Sequence, residues 1–473
     1  MYIFLLILLS LTARSIMPTA ALVVNNKTVV SYGGPKTHVT IDQYNRDGDW
    51  NRTYHPAEPQ QIHISWISNG KATRIQFSTM ASVDESRLQY WSDSDNQDDI
   101  NEGLDWEFVD GGIAKHSQFM HTFITKELAP STVYKYKVET TKDDQVYTSK
   151  TYEFHTPEED CPSFKFLATG DIGAANSVSM PVFKELADSH EFDFVAIMGD
   201  QGYNLDDFNG TKGDEYMNFA QDFYAKVPIL TTAGNHEAAY NFSHYKNRFD
   251  LMPYHESDFD NAMQYSIDYK SLHLISFATE VFFEGSDEQV QTSLQWLEQD
   301  LIKANQQRSK TPWIIVIGHR PLYCSIFSNS DCTENAELLR FGQEQEQGLE
   351  SLLTKYNVDM YLCGHKHNYE RTYPVRNNEA ITTSYHNAPS FFQVITGNAG
   401  NYEGGDEFDD TPELPSWLGT RYKGYGFTTI EVSPQYLNLH HYETLVDGTR
   451  GDLKDHVRVT KTESHINKQK IIN

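Results

Sequence analysis

Along residues 56–158 apolar and polar positions alternate with a period of two, the pattern of half-buried strands. The alternation is clearest at 61–67, 73–77 and 133–138, and Asn-Gly, Asp-Gly-Gly and Ala-Pro-Ser turns divide the segments. These residues are predicted to form a β-sandwich of immunoglobulin or fibronectin type III kind. From Cys161 the pattern changes. Short apolar runs suited to buried parallel strands, at 164–169, 192–198, 227–232, 272–277, 313–317 and 358–363, alternate with segments of helical period. Helices are predicted over 177–188, 214–225, 288–306 and 347–356. Alternation of this kind defines an α/β domain.

Five of the apolar runs end alike. They close on Gly170-Asp171, Gly199-Asp200, Gly234-Asn235, Gly318-His319 and Gly364-His365-Lys366-His367. In open α/β sheets the crevice beyond the carboxyl ends of the strands holds the ligand. Each residue after the glycine is a ligand type for a hard or borderline cation. A carboxylate at Asp200 can bridge two cations through its two oxygens, and Tyr203 is near enough in sequence to reach one of them. In an extended His365-Lys366-His367 both imidazoles project to one face, so each can serve a different ion. Asp171, Asp200, Tyr203, Asn235, His319, His365 and His367 together suffice for two metals sharing one carboxylate. His236, directly after Asn235, is expected to point away from the ions in an extended segment.

Composition narrows the class. A chain of 473 residues accommodates two or three domains. Its formal net charge of −28, from 38 Lys and Arg against 66 Asp and Glu, excludes a nucleic-acid-binding surface. If the substrate is a phosphate, its attraction must therefore come from a local cationic centre. Residues 3–11 are apolar apart from Ser10, and small residues follow at Thr19-Ala20-Ala21, so 1–21 is read as a secretory signal peptide. No later run is long and apolar enough to predict a transmembrane segment. Sequons at Asn26, Asn51, Asn209 and Asn241 are candidate glycosylation sites. Cys324 and Cys332 can close a small disulfide loop in an exported protein, whereas Cys363 sits in an apolar strand and is read as a buried thiol.

The ordered set Asp-x-Gly, Gly-Asp-x-x-Tyr, Gly-Asn-His-Glu, Gly-His and Gly-His-x-His resembles the calcineurin-like metallophosphoesterases. Tyr203 makes it similar to the purple acid phosphatases among them, whose tyrosine binds ferric iron and gives the colour. The resemblance covers roughly residues 56–460, including the sandwich and a tail running through Gly397-Asn398-Ala399-Gly400-Asn401. It implies a fibronectin type III-like β-sandwich (56–158) after an N-terminal extension (22–55). An α/β metallophosphoesterase domain, a two-sheet sandwich flanked by helices, follows, with its dimetal core at 159–385 and its C-terminal segment at 386–465.

The resemblance further implies one Fe(III) per subunit, held by Asp171, Tyr203 and His367. It implies one divalent ion, Fe(II) or Zn(II), held by Asn235, His319 and His365, with Asp200 bridging the pair. His236 becomes the catalytic histidine that meets the phosphate or protonates the leaving group. The implied reaction is acid hydrolysis of phosphate monoesters by a metal-bound hydroxide, in a secreted or lysosomal glycoprotein for which a homodimer is admitted. Two cations about 3.5–4 Å apart can clamp such a displacement, and Fe(III) should lower the pKa of bound water below the value of about 7 that zinc gives. Plant members carry an additional His pair after the fourth motif, and 323–332 has none, which is closer to the animal long form. That difference leaves open a phosphodiesterase or nucleotide-polyphosphate hydrolase on the same core. A reading from another class, an inert secreted binding glycoprotein, would require lost ligands, and none is lost.

Overall fold

A computed structural model describes residues 22–24, 27–30, 39–41, 50, 52–94, 98–174, 177–343, 347–410 and 413–469. The leader at 1–21 and the sequon asparagines Asn26 and Asn51 lie outside the described residues. The alternating segments of the front region form two antiparallel sheets. One contains Gln60–Ile67, Ala72–Thr79, Ser117–Ile124 and Leu104–Val109; the other is built on Val133–Lys142. Inward positions Ile64, Trp66, Phe77, Leu88, Tyr136 and Phe154 contribute to its core. The N–H of Ala129 donates to the Tyr134 hydroxyl at 3.0 Å, the tyrosine-corner contact of this sandwich class.

The Gln60–Ile67 strand is buried along its whole length although its sequence alternates. Its second face lies against the α/β unit. Backbone N–H groups of Gln61 and Ile62 donate to Asn218 and Gln221 at 3.2 and 2.9 Å. Ser65 Oγ donates to the Ile229 carbonyl at 2.8 Å, and the Trp66 indole to the Asp193 carbonyl at 2.8 Å.

The α/β unit contains two mixed sheets. Strands β1 (Phe164–Thr169), β2 (Phe194–Met198) and β3 (Ile229–Thr232) are parallel, with helices α1 (Met180–Asp188) and α2 (Thr211–Tyr224) in the crossovers. The second sheet has a parallel centre of β4 (Leu272–Ser276), β5 (Trp313–Ile317), β6 (Met360–Cys363) and β7 (Phe392–Thr396), with helix α3 (Asp287–Gln306) between β4 and β5. The carboxyl segment then returns to the first sheet, where β8 (Gly426–Val432) pairs antiparallel with β1. β9 (Tyr436–Thr444) and β10 (Arg450–Thr460) extend that edge, giving the order β3-β2-β1-β8-β9-β10.

Period-two packing sorts the second sheet's side chains. Trp313, Ile315, Ile317, Met360 and Leu362 join the core shared with the first sheet. Ile314, Val316, Tyr361 and Cys363 face the other way, into a core with Leu294, Leu297 and Leu301 of α3. Continuous apolar runs arise because both faces of these strands are covered.

One ion triad, with its histidine and one of its two carboxylates buried, ties α3 to this sheet. His273 on β4 meets Asp268 through Nδ1 at 2.6 Å and Asp300 of α3 through Nε2 at 2.8 Å. Burial disfavours its charge, but Asp300 and Asp268 outweigh that and raise it to about 9. A raised folded pKa contributes stability that is fully present below the unfolded value near 6.5 and is lost as pH climbs through about 9. The size is up to about 3 kcal/mol. His273→Gln should therefore lower stability most below pH ~6.5, with the gap to wild type closing above pH ~9. Urea unfolding across that range checks this, and a gap independent of pH refutes the assignment.

Candidate metal centre

Strands β1, β2 and β3 of one sheet and β5 and β6 of the other end on the same side, and their terminal loops converge. Asp171 follows β1 and Asp200 follows β2, and the loops are stitched by Asp171 N–H to Gly199 O and Ile172 N–H to Asp200 O, both 3.1 Å. Asp171, Asp200, Tyr203 and His319 are all buried.

The glycines before these residues have a steric purpose. Gly199 has φ +79°, and a Cβ there would lie 2.7 Å from His319 Nδ1. A Cβ on Gly364 would run into the Asp171 carboxylate. Asp171, Asp200, Tyr203 and His365 themselves take left-handed backbone, with φ of 58°, 49°, 58° and 66°. That conformation is costly for such residues and concentrates at functional sites.

The donor atoms fall into two groups. In the first, Tyr203 Oη lies 2.8 Å from His367 Nε2 and 3.4 Å from Asp171 Oδ1, and His367 Nε2 lies 3.4 Å from the same oxygen. In the second, His319 Nε2 lies 3.0 Å from Asn235 Oδ1, 3.1 Å from His365 Nδ1 and 3.2 Å from Asp200 Oδ2. The groups are joined through Asp171 Oδ2, which accepts the N–H of His365 at 2.9 Å.

Two expectations about local conformation are corrected. His365-Lys366-His367 is a bend, with His365 left-handed, and is not extended. The imidazoles consequently enter different groups by different nitrogens, Nδ1 for His365 and Nε2 for His367. Asn235–Glu237 is a turn of 3₁₀ helix, also not extended. Successive side chains there diverge by roughly a third of a turn, so His236 and Asn235 still aim in different directions.

The outward nitrogens fix the tautomers. His319 Nδ1 lies 2.7 Å from the Met198 carbonyl and His367 Nδ1 lies 2.9 Å from the Gly404 carbonyl, so each carries a proton there and turns Nε2 inward. His365 Nε2 lies 3.0 Å from Asp331 Oδ2, which leaves Nδ1 as its inward atom. Second-layer partners of this kind orient metal-ligating histidines. Packing carboxylates, imidazoles, a phenol and an amide oxygen at these separations in a buried site requires cationic compensation. Asp171, Tyr203, His367, Asn235, His319, His365 and Asp200 therefore fit two cations.

Electrostatics agree with that demand. Burial raises the Tyr203 phenol well above its ordinary value, and the charges of Asp171 and Asp200 add to the rise. Burial opposes charge on His319 and His367, but Asp200 and Asp171 outweigh it and raise them to about 10 and about 9. Burial lowers His365 to about 3 in spite of Asp331.

Several supporting roles were not read from the sequence, that of Glu237 among them although it closes the Gly-Asn-His-Glu motif. Glu237, raised to about 7 by burial and by Asp200, accepts the N–H groups of Asp200, Gln201 and Gly234 at 2.8–2.9 Å and so pins two ligand loops together. Arg320 Nε donates to Glu280 at 2.9 Å and its NH1 to Asp331 at 3.0 Å. Asp331 belongs to the loop closed by the Cys324–Cys332 disulfide, so that loop steadies His365 from outside. His236 Nδ1 lies 2.8 Å from Asn204 Oδ1, and its Nε2 lies 3.6 Å from Glu403 on the more open side of the centre. Asn209 and Asn241 are exposed, away from these groups, and Cys363 is buried and unpaired.

Fold and donor set together define a metallophosphoesterase. Residues 164–369 match the calcineurin-like phosphoesterase model. Residues 59–156 match the purple acid phosphatase N-terminal domain, and 390–453 match the iron/zinc purple acid phosphatase-like C-terminal model. Acid phosphatase type 7 of Homo sapiens is 33% identical over 416 residues, spanning 86% of this chain and 91% of the human one. Phosphoenolpyruvate phosphatase of Allium cepa is 28% identical, over 79% of this chain and 76% of its own. A purple acid phosphatase structure from Lupinus luteus superposes with a TM-score of 0.72 at 21% identity, covering 87% of this chain and 76% of that one. The chain belongs to the purple acid phosphatase family and is an acid phosphatase, a hydrolase of phosphate esters.

Proposed function

We propose that this chain hydrolyses phosphate monoesters at a dinuclear centre of Fe(III) and a divalent ion, Fe(II) or Zn(II). The observation that carries the reading is the convergence of the donors in two groups of three, with Asp200 between their loops. Asp171, Tyr203 and His367 would hold the ferric ion. Asn235, His319 and His365 would hold the divalent one, and Asp200 would bridge. When bound, the two cations supply the charge that neutralises phosphate oxygens and lowers the pKa of water.

The remaining chemistry belongs to the chain's own residues. The carbonyls of Met198 and Gly404 and the carboxylate of Asp331 keep three imidazoles in ligand tautomers. Asn204 takes the proton side of His236 Nδ1, which leaves Nε2 free to hold a proton facing the substrate. From there it can pass that proton to the departing alkoxide. Glu403 Oε1 lies 3.6 Å from that nitrogen and borders the substrate side. An exported protein, secreted or lysosomal and glycosylated at Asn26, Asn51, Asn209 and Asn241, is supported by the apolar leader and by the disulfide.

The test is spectroscopic. The oxidised protein should show a broad visible charge-transfer band and contain iron, and Tyr203→Phe should abolish the band while far-ultraviolet circular dichroism stays near wild type. A colourless, iron-free, fully active wild type overturns the ferric–phenolate assignment.

A further inference from the structure

The Asp110-Gly111-Gly112 turn of the sandwich opens a loop that reaches the surroundings of His236. Residues 110–116 join the paired strands Leu104–Val109 and Ser117–Ile124. The Asp110 N–H donates to the His116 carbonyl at 2.9 Å, and Asp110 Oδ1 accepts the Gly112 N–H at 3.0 Å, so the loop is closed on itself. Its tip lies against Tyr240, four residues past His236: a Cβ on Gly111 would fall 2.5 Å from Tyr240 Cβ. Its other end bears on a different segment. A Cβ on Gly210 would fall 2.6 Å from His116 Cβ, and His116 Nε2 lies 3.0 Å from Asp214 Oδ2.

The two segments it touches are those that fix His236. Beyond the turn Asn235–Glu237, Tyr240, Asn241 and Phe242 take consecutive left-handed backbone, with φ of 53°, 58° and 59°. L-residues avoid such a run, and it persists only where its surroundings impose it. On the other side stands Asn204, whose Oδ1 meets His236 Nδ1 at 2.8 Å. The chain from there to Gly210 is stitched into one unit. The N–H groups of Asp207, Gly210 and Gly213 donate to the carbonyls of Asn204, Asp206 and Leu205 at 2.8, 2.8 and 2.9 Å, so a shift at Gly210 is carried to Asn204. Arg248, at the end of the helix Ala239–Arg248, ties both segments to the sandwich. Its NH2 donates to Asp214 Oδ1 and its NH1 to Gln61 Oε1, each at 2.9 Å.

We propose that the 110–116 loop is a positioning element for His236: by bearing on Tyr240 and on Gly210 and Asp214 at once, it holds the imidazole against Asn204 and aims Nε2 at the leaving group. The inference rests on the proposed role of His236 as the acid. It gives the sandwich a part in turnover, since proton transfer requires the acid within hydrogen-bond reach of the departing oxygen. Gly111 and His116 are then positioning residues, although neither supplies a donor to the metal groups.

Two sandwich variants test this on the full chain with its metals loaded. Gly111→Ala drives a Cβ into Tyr240, and His116→Ala removes the second support without adding bulk. Misplacement by about 1 Å costs on the order of 10²-fold. Each variant should therefore lower kcat for an alkyl phosphate by about 10- to 10²-fold. KM and metal content should hold, and an activated aryl phosphate should be nearly unaffected. His116→Gln, which still reaches Asp214, should recover most of the rate. Introduced into His236→Ala, neither variant should slow the alkyl ester further, because the group they position is gone. A merely structural role would lower thermal stability and slow both esters alike. If Gly111→Ala does not fold, the His116 variants decide alone. Equal losses on the two esters, a further loss on top of His236→Ala, or undiminished alkyl-ester turnover in the folded variants overturns the proposal. The reading beneath it fails separately: His236→Ala by itself would then slow both esters equally, and the positioning role would fall with it.

Discussion

Asp200→Asn should abolish turnover and release one or both metals while the protein stays folded. Asp200 is proposed to serve both ions: its Oδ2 faces His319 Nε2 at 3.2 Å, its Oδ1 accepts the His236 N–H at 2.9 Å, and its backbone carbonyl accepts the N–H of Ile172 in the Asp171 loop at 3.1 Å. Burial works against its charge, but His319 and the neighbouring His236 and His365 hold it below the ordinary carboxylate range, so it is ionised at any pH at which the enzyme works. Asparagine keeps the shape, which spares the loop with its left-handed backbone, yet removes the charge and puts an amide N–H where an acceptor is needed. Losing one preorganised electrostatic group costs about 10²–10³ in kcat. A group shared by two cations should cost more, on the order of 10³-fold or beyond, with the metal-to-protein ratio falling in parallel. Metal analysis and circular dichroism on the purified variant check it. A folded Asp200→Asn protein that keeps both metals and near-normal kcat would falsify the bridging role.

Much of the candidate centre was legible because the proposed ligands sit at strand ends. A buried parallel strand is an unbroken apolar run, and the residue after it is placed by the sheet itself, so Asp171, Asp200, Asn235, His319 and His365 could be read in order. What holds them was not legible. Asp331 and Glu403 are single carboxylates in polar loops, no different in the sequence from solvated surface acids, and only folding sets them 3.0 Å from His365 and 3.6 Å from His236. The left-handed backbone at Asp171, Asp200 and His365 was hidden for a related reason. Propensity describes what a residue prefers, and here the crowding of two sheet ends imposes what it does not prefer. That is why the histidine pair was expected extended and proved to be a bend. The path of β8 beside β1 was likewise beyond local periodicity, since the pattern of 426–432 fits any buried strand and its partner lies far away in sequence. The same limit concealed the approach of the Asp110-Gly111-Gly112 turn to Tyr240, which neither segment announces alone.

His236→Ala should leave the metals in place and slow catalysis by an amount that depends on the leaving group. His236 follows Asn235, but the 3₁₀ turn swings its ring away from the Asn235–His319–His365 group to stand 4.4 Å, centroid to centroid, from the Tyr203 ring. No donor of either group relies on it: its Nδ1 is taken by Asn204 at 2.8 Å, and its Nε2 lies 3.9 Å from Asp200 Oδ2 and 3.6 Å from Glu403. A proton held at Nε2 is therefore available to an oxygen departing on the open side. General-acid groups contribute about 10²–10⁴-fold, and the contribution grows as the leaving group becomes more basic. An alkyl phosphate, whose alkoxide cannot leave unprotonated, should lose kcat by about that factor. An activated aryl phosphate, whose phenolate leaves unaided, should lose little. The distinction between acid and anchor lies in which constant moves: an anchor for the phosphate would raise KM for both substrates alike, since both present the same phosphoryl group. Equal losses on the two substrates, or a variant stripped of a metal, would show that His236 is not the leaving-group acid.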